Sequence, residues 1–225
     1  MIAVPRDEYR EALDALRSDV DAMAGTVIEQ LRRALAALED DDPASAREVI
    51  DGDEAINRRY LDLEGDCIDL FALQQPVASD LRFVAASFKI LTDLERVGDL
   101  ATNLARYALA DGVAVVSDAR VHEIGETAAG QLRAAVDAYV EGDAEACRTI
   151  ADRDDDLDAL CQRASEAVVR ELVASEPDRW EVERLLDGIS RLLLTIRDLE
   201  RVGDHAVNVA ARTLYMIDGD PELIY

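Results

Sequence analysis

The feature that most constrains the fold of this chain is a seven-residue sequence that occurs twice. Asp-Leu-Glu-Arg-Val-Gly-Asp occupies residues 93–99 and again residues 198–204, at an offset of 198 − 93 = 105. An asparagine follows each copy at the same distance, as Asn103 and Asn208. Internal self-similarity of this kind indicates that one supersecondary unit is present twice and that its copies pack against each other.

The pattern of apolar residues indicates that each unit is helical. Apolar side chains recur at helical spacing between breaks that contain proline, glycine and aspartate, such as Asp42-Pro43 and Gly142-Asp143. Aromatic residues make up only 4% of the chain, which argues against a sheet. The breaks predict six amphipathic helices over residues 6–40, 43–73, 76–110, 118–141, 143–174 and 178–217.

A second alignment divides these helices into two sets of three. Residues 51–57 match residues 152–158 at an offset of 152 − 51 = 101, four less than the offset of the heptapeptide. The difference is expected if the turn between the second and third helices is longer in the second unit. The predicted fold is therefore all-α, with two tandem three-helix bundles formed by residues 1–111 and 112–225.

The charge of the chain limits its partners and its environment. There are 49 acidic residues against 24 basic ones, a net charge of −25, and Lys89 is the only lysine. Such a surface repels nucleic acid and anionic membranes, and it is typical of proteins from a high-salt cytoplasm. Three cysteines without a CxxC pair make disulfides and a zinc-thiolate site improbable. The chain shows neither a signal peptide nor an 18-residue apolar run, so we expect a cytoplasmic protein without membrane insertion.

The repeated heptapeptide carries a pair of carboxylates on one helical face. Glu95 and Asp99, like Glu200 and Asp204, lie four residues apart, where like charges repel. A pair placed twice beside the core predicts a compensating cation, which is either a neighbouring arginine or a bound metal ion. The alternative interpretation is that these residues belong to a solvated acidic face.

The second helix of each unit offers further carboxylates. Asp53 lies in the first unit, whereas Asp154 and Asp158 lie in the second. If this helix faces the heptapeptide helix, each unit has a carboxylate-rich site suited to hard cations. The predicted metal-ligating residues are Glu200, Asp204, Asp154 and Asp158, and less firmly Glu95, Asp99 and Asp53.

Taken together, these motifs resemble the PhoU family. The resemblance rests on DLERVGD followed by asparagine in both units and on the sequence PVASDLR at residues 76–82, and it covers essentially the whole chain. It implies two three-helix bundles related by a pseudo-two-fold axis. It also implies metal clusters held on the bundle surface through E/D-x-x-x-D pairs, with iron, zinc, manganese or magnesium as the expected cation. The chain departs from the pattern at Asn57, where the first unit lacks an acid to pair with Asp53, so the first site is expected to be weaker.

The resemblance further implies a regulator of phosphate uptake and homeostasis, and not an enzyme. Its implied partners are the ATPase subunit of the phosphate ABC transporter and a sensor kinase or another regulator, with a homodimer as a further expectation. The alternatives are a di-metal carboxylate enzyme or metal-storage bundle, a scaffold without metal, and a regulator of another transporter. Neither His122 nor His205 follows a glutamate by three residues, so the Glu-x-x-His pattern of di-iron bundles is absent.

Overall fold

Six helices account for almost all of the residues that the structure describes. The computed structural model describes residues 6–73, 78–110, 120–174, 182–219 and 221–223. The helices are α1 Arg6–Glu39, α2 Pro43–Leu73, α3 Ala78–Ala108, α4 Val121–Glu141, α5 Ala144–Ala174 and α6 Val182–Asp218. These ranges contain no strand, and the prediction of an all-α fold is confirmed.

The ends of the helices follow from residues at the predicted breaks. Asp42 begins α2, because its Oδ1 accepts hydrogen bonds from the backbone N–H groups of Ala44 at 2.9 Å and Ser45 at 3.3 Å. Asp143 does the same for α5. Gly142 ends α4 in the left-handed region, with φ of 70°, a conformation that favours glycine.

Several other predicted breaks lie outside the described residues. They are the start of the third helix at Gln75-Pro76, the joint near 111–117 and the turn around Pro177. The proposed boundary between residues 111 and 112 falls in one of these gaps and stays a prediction.

Each helix buries one stripe of small and branched apolar side chains. In α3 the stripe includes Leu91, Leu94, Ala101 and Ala105, all inaccessible to solvent. Burial of this area is the main stabilising contribution to the fold, since apolar surface removed from water contributes about 25 cal/mol per Å². Cys67, Cys147 and Cys161 are free thiols within the same core.

The packing of the helices gives the molecule an approximate two-fold axis. Helices α1, α2 and α3 pack against one another, and so do α4, α5 and α6. Between the halves, α1 packs on α4 and α3 packs on α6, so each helix at the junction meets its own equivalent. A contact between equivalent elements is the signature of an isologous interface.

Two glutamines confirm the register of the repeat. The Gln30 side chain donates to the backbone carbonyl of Val49 at 3.1 Å, and the Gln131 side chain donates to that of Ile150 at 3.4 Å. Both glutamines and both carbonyls differ by 101 positions, the offset found for the second helix of each unit (131 − 30 and 150 − 49). The glutamines tie the first helix of each half to the second.

The first aspartate of each heptapeptide is buried where α3 meets α6. Asp93 Oδ1 lies 2.9 Å from His205 Nδ1 and accepts a hydrogen bond from Asn208 at 3.4 Å. Asp198, which has no solvent exposure, accepts a hydrogen bond from the Tyr107 hydroxyl at 2.9 Å. Equivalent aspartates therefore have different partners, and His205 is a packing residue of this interface.

Candidate metal centre

The structure brings the seven predicted carboxylates to two equivalent surfaces. Asp53 on α2 faces the α3 pair, and Asp154 and Asp158 on α5 face the α6 pair. We call these surfaces the first carboxylate row and the second carboxylate row. The first row is Asp53, Glu95 and Asp99, and the second row is Asp154, Asp158, Glu200 and Asp204.

A glycine lets the two helices of each row approach closely. A Cβ atom on Gly203 would overlap the Leu157 side chain and would lie 3.2 Å from Asp154 Oδ1. At the equivalent position, a Cβ on Gly98 would lie 3.4 Å from Ile56 Cγ2, an ordinary contact. A methyl group in the second half would therefore force the buried Leu157 side chain to shift, whereas the first half has room for one.

Neutral donors bind one of the three carboxylates of the first row. Asp53 accepts hydrogen bonds from Thr102 Oγ1 at 3.1 Å and from Asn57 Nδ2 at 3.0 Å, one on each carboxylate oxygen. Burial raises the pKa values of Glu95 and Asp99 above their ordinary values, and repulsion within the row raises them further.

Basic groups oppose this rise in the first row. Arg96 and His205 lower the pKa of Glu95, and Arg106 lowers that of Asp99. The sequence left open whether an arginine or a metal ion compensates the repelling pair. In the first half, arginine side chains supply part of the compensation.

The second row carries one more carboxylate and fewer compensating groups. Gln131 donates to Asp154 Oδ1 at 3.0 Å and lowers its pKa, but burial, the larger cause, raises it. Burial also raises the pKa of Glu200, and repulsion from Asp158, Asp204 and Asp154 adds to the rise. All the charged groups that shift the pKa values of Asp154, Asp158 and Glu200 are carboxylates.

Two arginines close to the repeated motifs in sequence, Arg197 and Arg82, have partners outside the second row. Arg197 pairs with its neighbour Asp198 at 2.9 Å, on the buried side of α6. Arg82 Nε donates to the backbone carbonyl of Met216 at 3.5 Å. The second row therefore has more uncompensated negative charge than the first row.

The donor set of the second row fits a hard cation. Its donors are carboxylate oxygens, the ligands that Mg²⁺, Mn²⁺ and iron prefer. Cys161 lies beside the row, but burial raises the pKa of its thiol to about 12, so it supplies no thiolate for zinc at neutral pH. Across the described part of the chain, no three His, Cys, Asp or Glu side chains converge closely enough to enclose an ion. The fit rests on the chemistry of the row and its place on two helices.

Sequence reasoning missed the residues that support these rows. Gln30 and Gln131 lie on α1 and α4, which the motifs do not include, and Thr102 lies on α3 just after the heptapeptide. Packing brings Thr102 and Gln131 to the carboxylates and Gln30 to Thr102. The equal spacing of the two glutamines in the repeat was a signal that could have identified them.

The fold and the carboxylate rows together define a class of protein. It is a duplicated all-α protein with paired carboxylate rows on its surface, and none of its described helices is long and apolar enough to span a bilayer. The PhoU domain family model matches residues 20–108 and 121–213, one match in each half. The chain therefore belongs to the PhoU family.

Relatives and solved structures agree with this assignment. The phosphate-specific transport system accessory protein PhoU homolog of Pseudomonas putida is 33% identical over 215 residues, covering 94% of this chain and 81% of that protein. The crystal structure of PhoU from Pseudomonas aeruginosa is 31% identical, with a TM-score of 0.82 and coverage of 94% of this chain and all of that one.

A second solved structure is similar over the same extent. The phosphate transport system regulatory protein PhoU from Streptococcus pneumoniae is 26% identical, with a TM-score of 0.85 and coverage of 94% of this chain and 98% of that one. These proteins are named as accessory and regulatory proteins, and the family is not one of enzymes.

Proposed function

We propose that this chain regulates phosphate transport from the cytoplasm by docking on the ATPase subunit of a phosphate ABC transporter, with metal cations held by its carboxylate rows. The observation that carries the proposal is the second carboxylate row, on a fold whose relatives are named accessory and regulatory proteins of phosphate transport. Further partners under the same proposal are a sensor kinase or another regulator, and a second copy of the chain in a homodimer.

The metal part of the proposal assigns each residue by its row. Glu200, Asp204, Asp154 and Asp158 hold the cation more firmly, while Asp53, Glu95 and Asp99 form a weaker site. A bound cation would neutralise carboxylates that repel one another and would fix α5 against α6. The binding free energy then stabilises the folded chain by linkage, since the unfolded chain has no preformed site.

Elemental analysis after equilibrium dialysis tests this assignment. Metal-depleted protein is dialysed against Fe²⁺, Mn²⁺ or Mg²⁺, and bound metal is compared between wild type and Glu200→Gln with Asp204→Asn. We expect the double variant to lose the tighter class of sites, with affinity reduced roughly 10-fold or more, because two ligands are removed.

A matched control separates ligation from net charge. Asp62 and Asp66 form an acidic pair at the same four-residue spacing on the exposed face of α2. Asp62→Asn with Asp66→Asn removes the same charge and should leave bound metal unchanged. Equal metal content in wild type and the Glu200 variant would refute the assignment.

Exposed apolar side chains support docking on a protein partner. Near the end of the α2–α3 hairpin, Ile68 is 54% and Leu81 45% exposed, and at equivalent positions of the α5–α6 hairpin, Val169 is 49% and Leu186 47% exposed. Salt screens the charge of −25 but does not weaken apolar burial. An interface built on these positions persists in molar salt, where electrostatic steering fails.

Affinity capture with the tagged chain tests the partner. The experiment is performed in molar salt, with and without phosphate starvation, beside a chain that carries Ile68→Ser with Leu81→Ser. We expect the wild type to recover a transporter ATPase subunit and the variant to recover less, and deletion of the chain to derepress phosphate uptake. Recovery of only a potassium channel or a transcription factor would leave the fold assignment intact and contradict the phosphate role.

A further inference from the structure

A groove on the first-half side of the α3–α6 junction collects positive charge on an otherwise acidic protein. Its volume is about 440 Å³, and it lies between α3, α6 and the end of α2. Three basic side chains line it in a chain with 24 basic against 49 acidic residues. The residues that the argument uses are Phe71, Phe88, Lys89, Arg96, Asn208 and Arg212.

The pseudo-two-fold axis supplies an internal reference for this groove. On the opposite side of the junction, Leu194 replaces Lys89 and Tyr107 replaces Arg212, at an offset of 105 (194 − 89 and 212 − 107). The Tyr107 hydroxyl lies over the buried Asp198 and donates to it at 2.9 Å. A tyrosine therefore binds the buried aspartate on one side, while basic side chains line the groove beside its equivalent on the other.

The basic side chains that line the open groove outnumber its acids. Its one acid, Asp93, is already engaged by His205 and Asn208. Within the described residues, Lys89, Arg96 and Arg212 form no ion pair, and the buried Nε of Arg212 has no hydrogen-bond partner. Because Arg96 also acts on Glu95, Lys89 and Arg212 supply the charge without an acidic partner, and two such cations match a dianion better than a single carboxylate.

The geometry points to a binding site for a small phosphate-bearing anion. A phosphate group has about two negative charges at neutral pH and accepts paired hydrogen bonds from guanidinium groups, which Arg96 and Arg212 supply. The aromatic side chains of Phe71 and Phe88 give the same groove an apolar wall, so an organic phosphate such as a nucleotide fits it better than the inorganic ion. This site goes beyond the proposed function and does not depend on metal binding by the carboxylate rows or on the transporter.

Calorimetric titration of the full chain tests the site in about 0.1 M salt, where the Debye length of about 10 Å leaves local charge effective. The probes are ADP, pyrophosphate and adenosine. Metal is first removed with a chelating resin, because a cation at the carboxylate rows would itself bind phosphate and a soluble chelator is a competing polyanion. We expect ADP to bind, pyrophosphate to bind more weakly, and adenosine to give no heat.

The variant Lys89→Leu with Arg212→Tyr gives the groove the residues of its counterpart. We expect its affinity for ADP to fall roughly 10-fold or more, since two charge-assisted contacts are lost. Lys89→Leu alone, at an exposed position, should show part of the loss. Arg201→Gln removes the equivalent of Arg96 on the opposite side of the α3–α6 junction. This variant should bind ADP as the wild type does.

The titrations give different results if the anion site exists and if it does not. Binding of ADP that is lost in the double variant, reduced in Lys89→Leu and retained in Arg201→Gln supports the site. No binding of ADP or pyrophosphate to the wild type overturns it, as does affinity that Lys89→Leu leaves unchanged. Equal affinity for ADP and pyrophosphate would overturn the role given to Phe71 and Phe88. None of these results depends on transporter binding, so the proposed function stands or falls separately.

Discussion

The two carboxylate rows occupy equivalent places in the two halves but balance their charge differently. In the first row, Asn57 and Thr102 donate to Asp53, and cationic side chains lower the pKa values of the other two members. In the second row, Asp158 replaces Asn57, and Gln131 is the neutral donor to Asp154. A repeated motif therefore does not guarantee a repeated site, because residues outside the motif decide how much charge is left for a cation.

The largest expected effect comes from what both halves share, the excess of negative charge. Raising NaCl from about 0.1 M to 1 M shortens the Debye length from about 10 Å to about 3 Å and should raise the melting temperature by roughly 5 °C or more. Thermal unfolding followed by circular dichroism measures this. Chloride is used because sulfate stabilises proteins by exclusion from their surface. A melting temperature that stays level or falls would contradict the high-salt interpretation.

The next effect separates the halves through their glycines. Gly203→Ala should destabilise the chain by about 1–3 kcal/mol, because the added methyl group overlaps the buried Leu157. Gly98→Ala should be neutral or stabilising by up to about 1 kcal/mol, since alanine is the better helix former and has room. Urea unfolding gives both free energies. Equal destabilisation by the two substitutions would show that the helix approach is the same in both halves.

A smaller effect tests whether Asn57 sets the strength of the first site. Asn57→Asp adds a fourth carboxylate to the first row and removes a donor to Asp53, so its metal affinity should rise roughly 10-fold, about 1.4 kcal/mol. Asp158→Asn should lower the affinity of the second site by a similar factor. Equilibrium dialysis of each variant measures both sites. If Asn57→Asp and Asp158→Asn leave both metal affinities unaltered, the residue at this equivalent position does not determine the difference between the rows.

The smallest effect is the pH dependence of the metal-free protein. Folding raises the pKa values of Asp154, Asp158 and Glu200, so the folded state retains protons that the unfolded state has lost. The free energy of unfolding should therefore increase as the pH falls from neutrality through these raised pKa values, and the gain should be complete near their ordinary values of about 4. Asp154→Asn should flatten the slope in urea titrations at each pH. A steady loss of stability between about pH 7 and pH 5 would contradict this sign.

The sequence predicted the helices well because their ends depend on local chemistry. Asp42 and Asp143 cap their helices through hydrogen bonds to residues two and three positions later in the sequence. The start of α2 at Pro43 and the end of α5 at Ala174 agree with the predicted ranges. The carboxylate rows were also predictable, because residues four apart on a helix share a face.

The compensation of charge was not predictable from the motifs. It depends on which side chains of neighbouring helices reach the carboxylates, as Thr102 reaches Asp53 and His205 reaches Asp93. The sequence gives no sign that the first aspartate of the heptapeptide is buried between the halves. That burial follows from the packing of α3 on α6, which is a property of the complete fold.

The junction of α3 and α6 has a consequence for how such a molecule can diversify. Two identical subunits related by a two-fold axis must make every contact twice, so any substitution alters both sides together. Covalent linkage of the repeats removes that obligation. Tyr107 can bind Asp198 on one side while Arg212 lines a groove on the other, and the shared architecture remains intact. Tandem duplication thus gives this protein two surfaces that can differ in sequence, whereas a symmetric dimer has two identical copies of one surface.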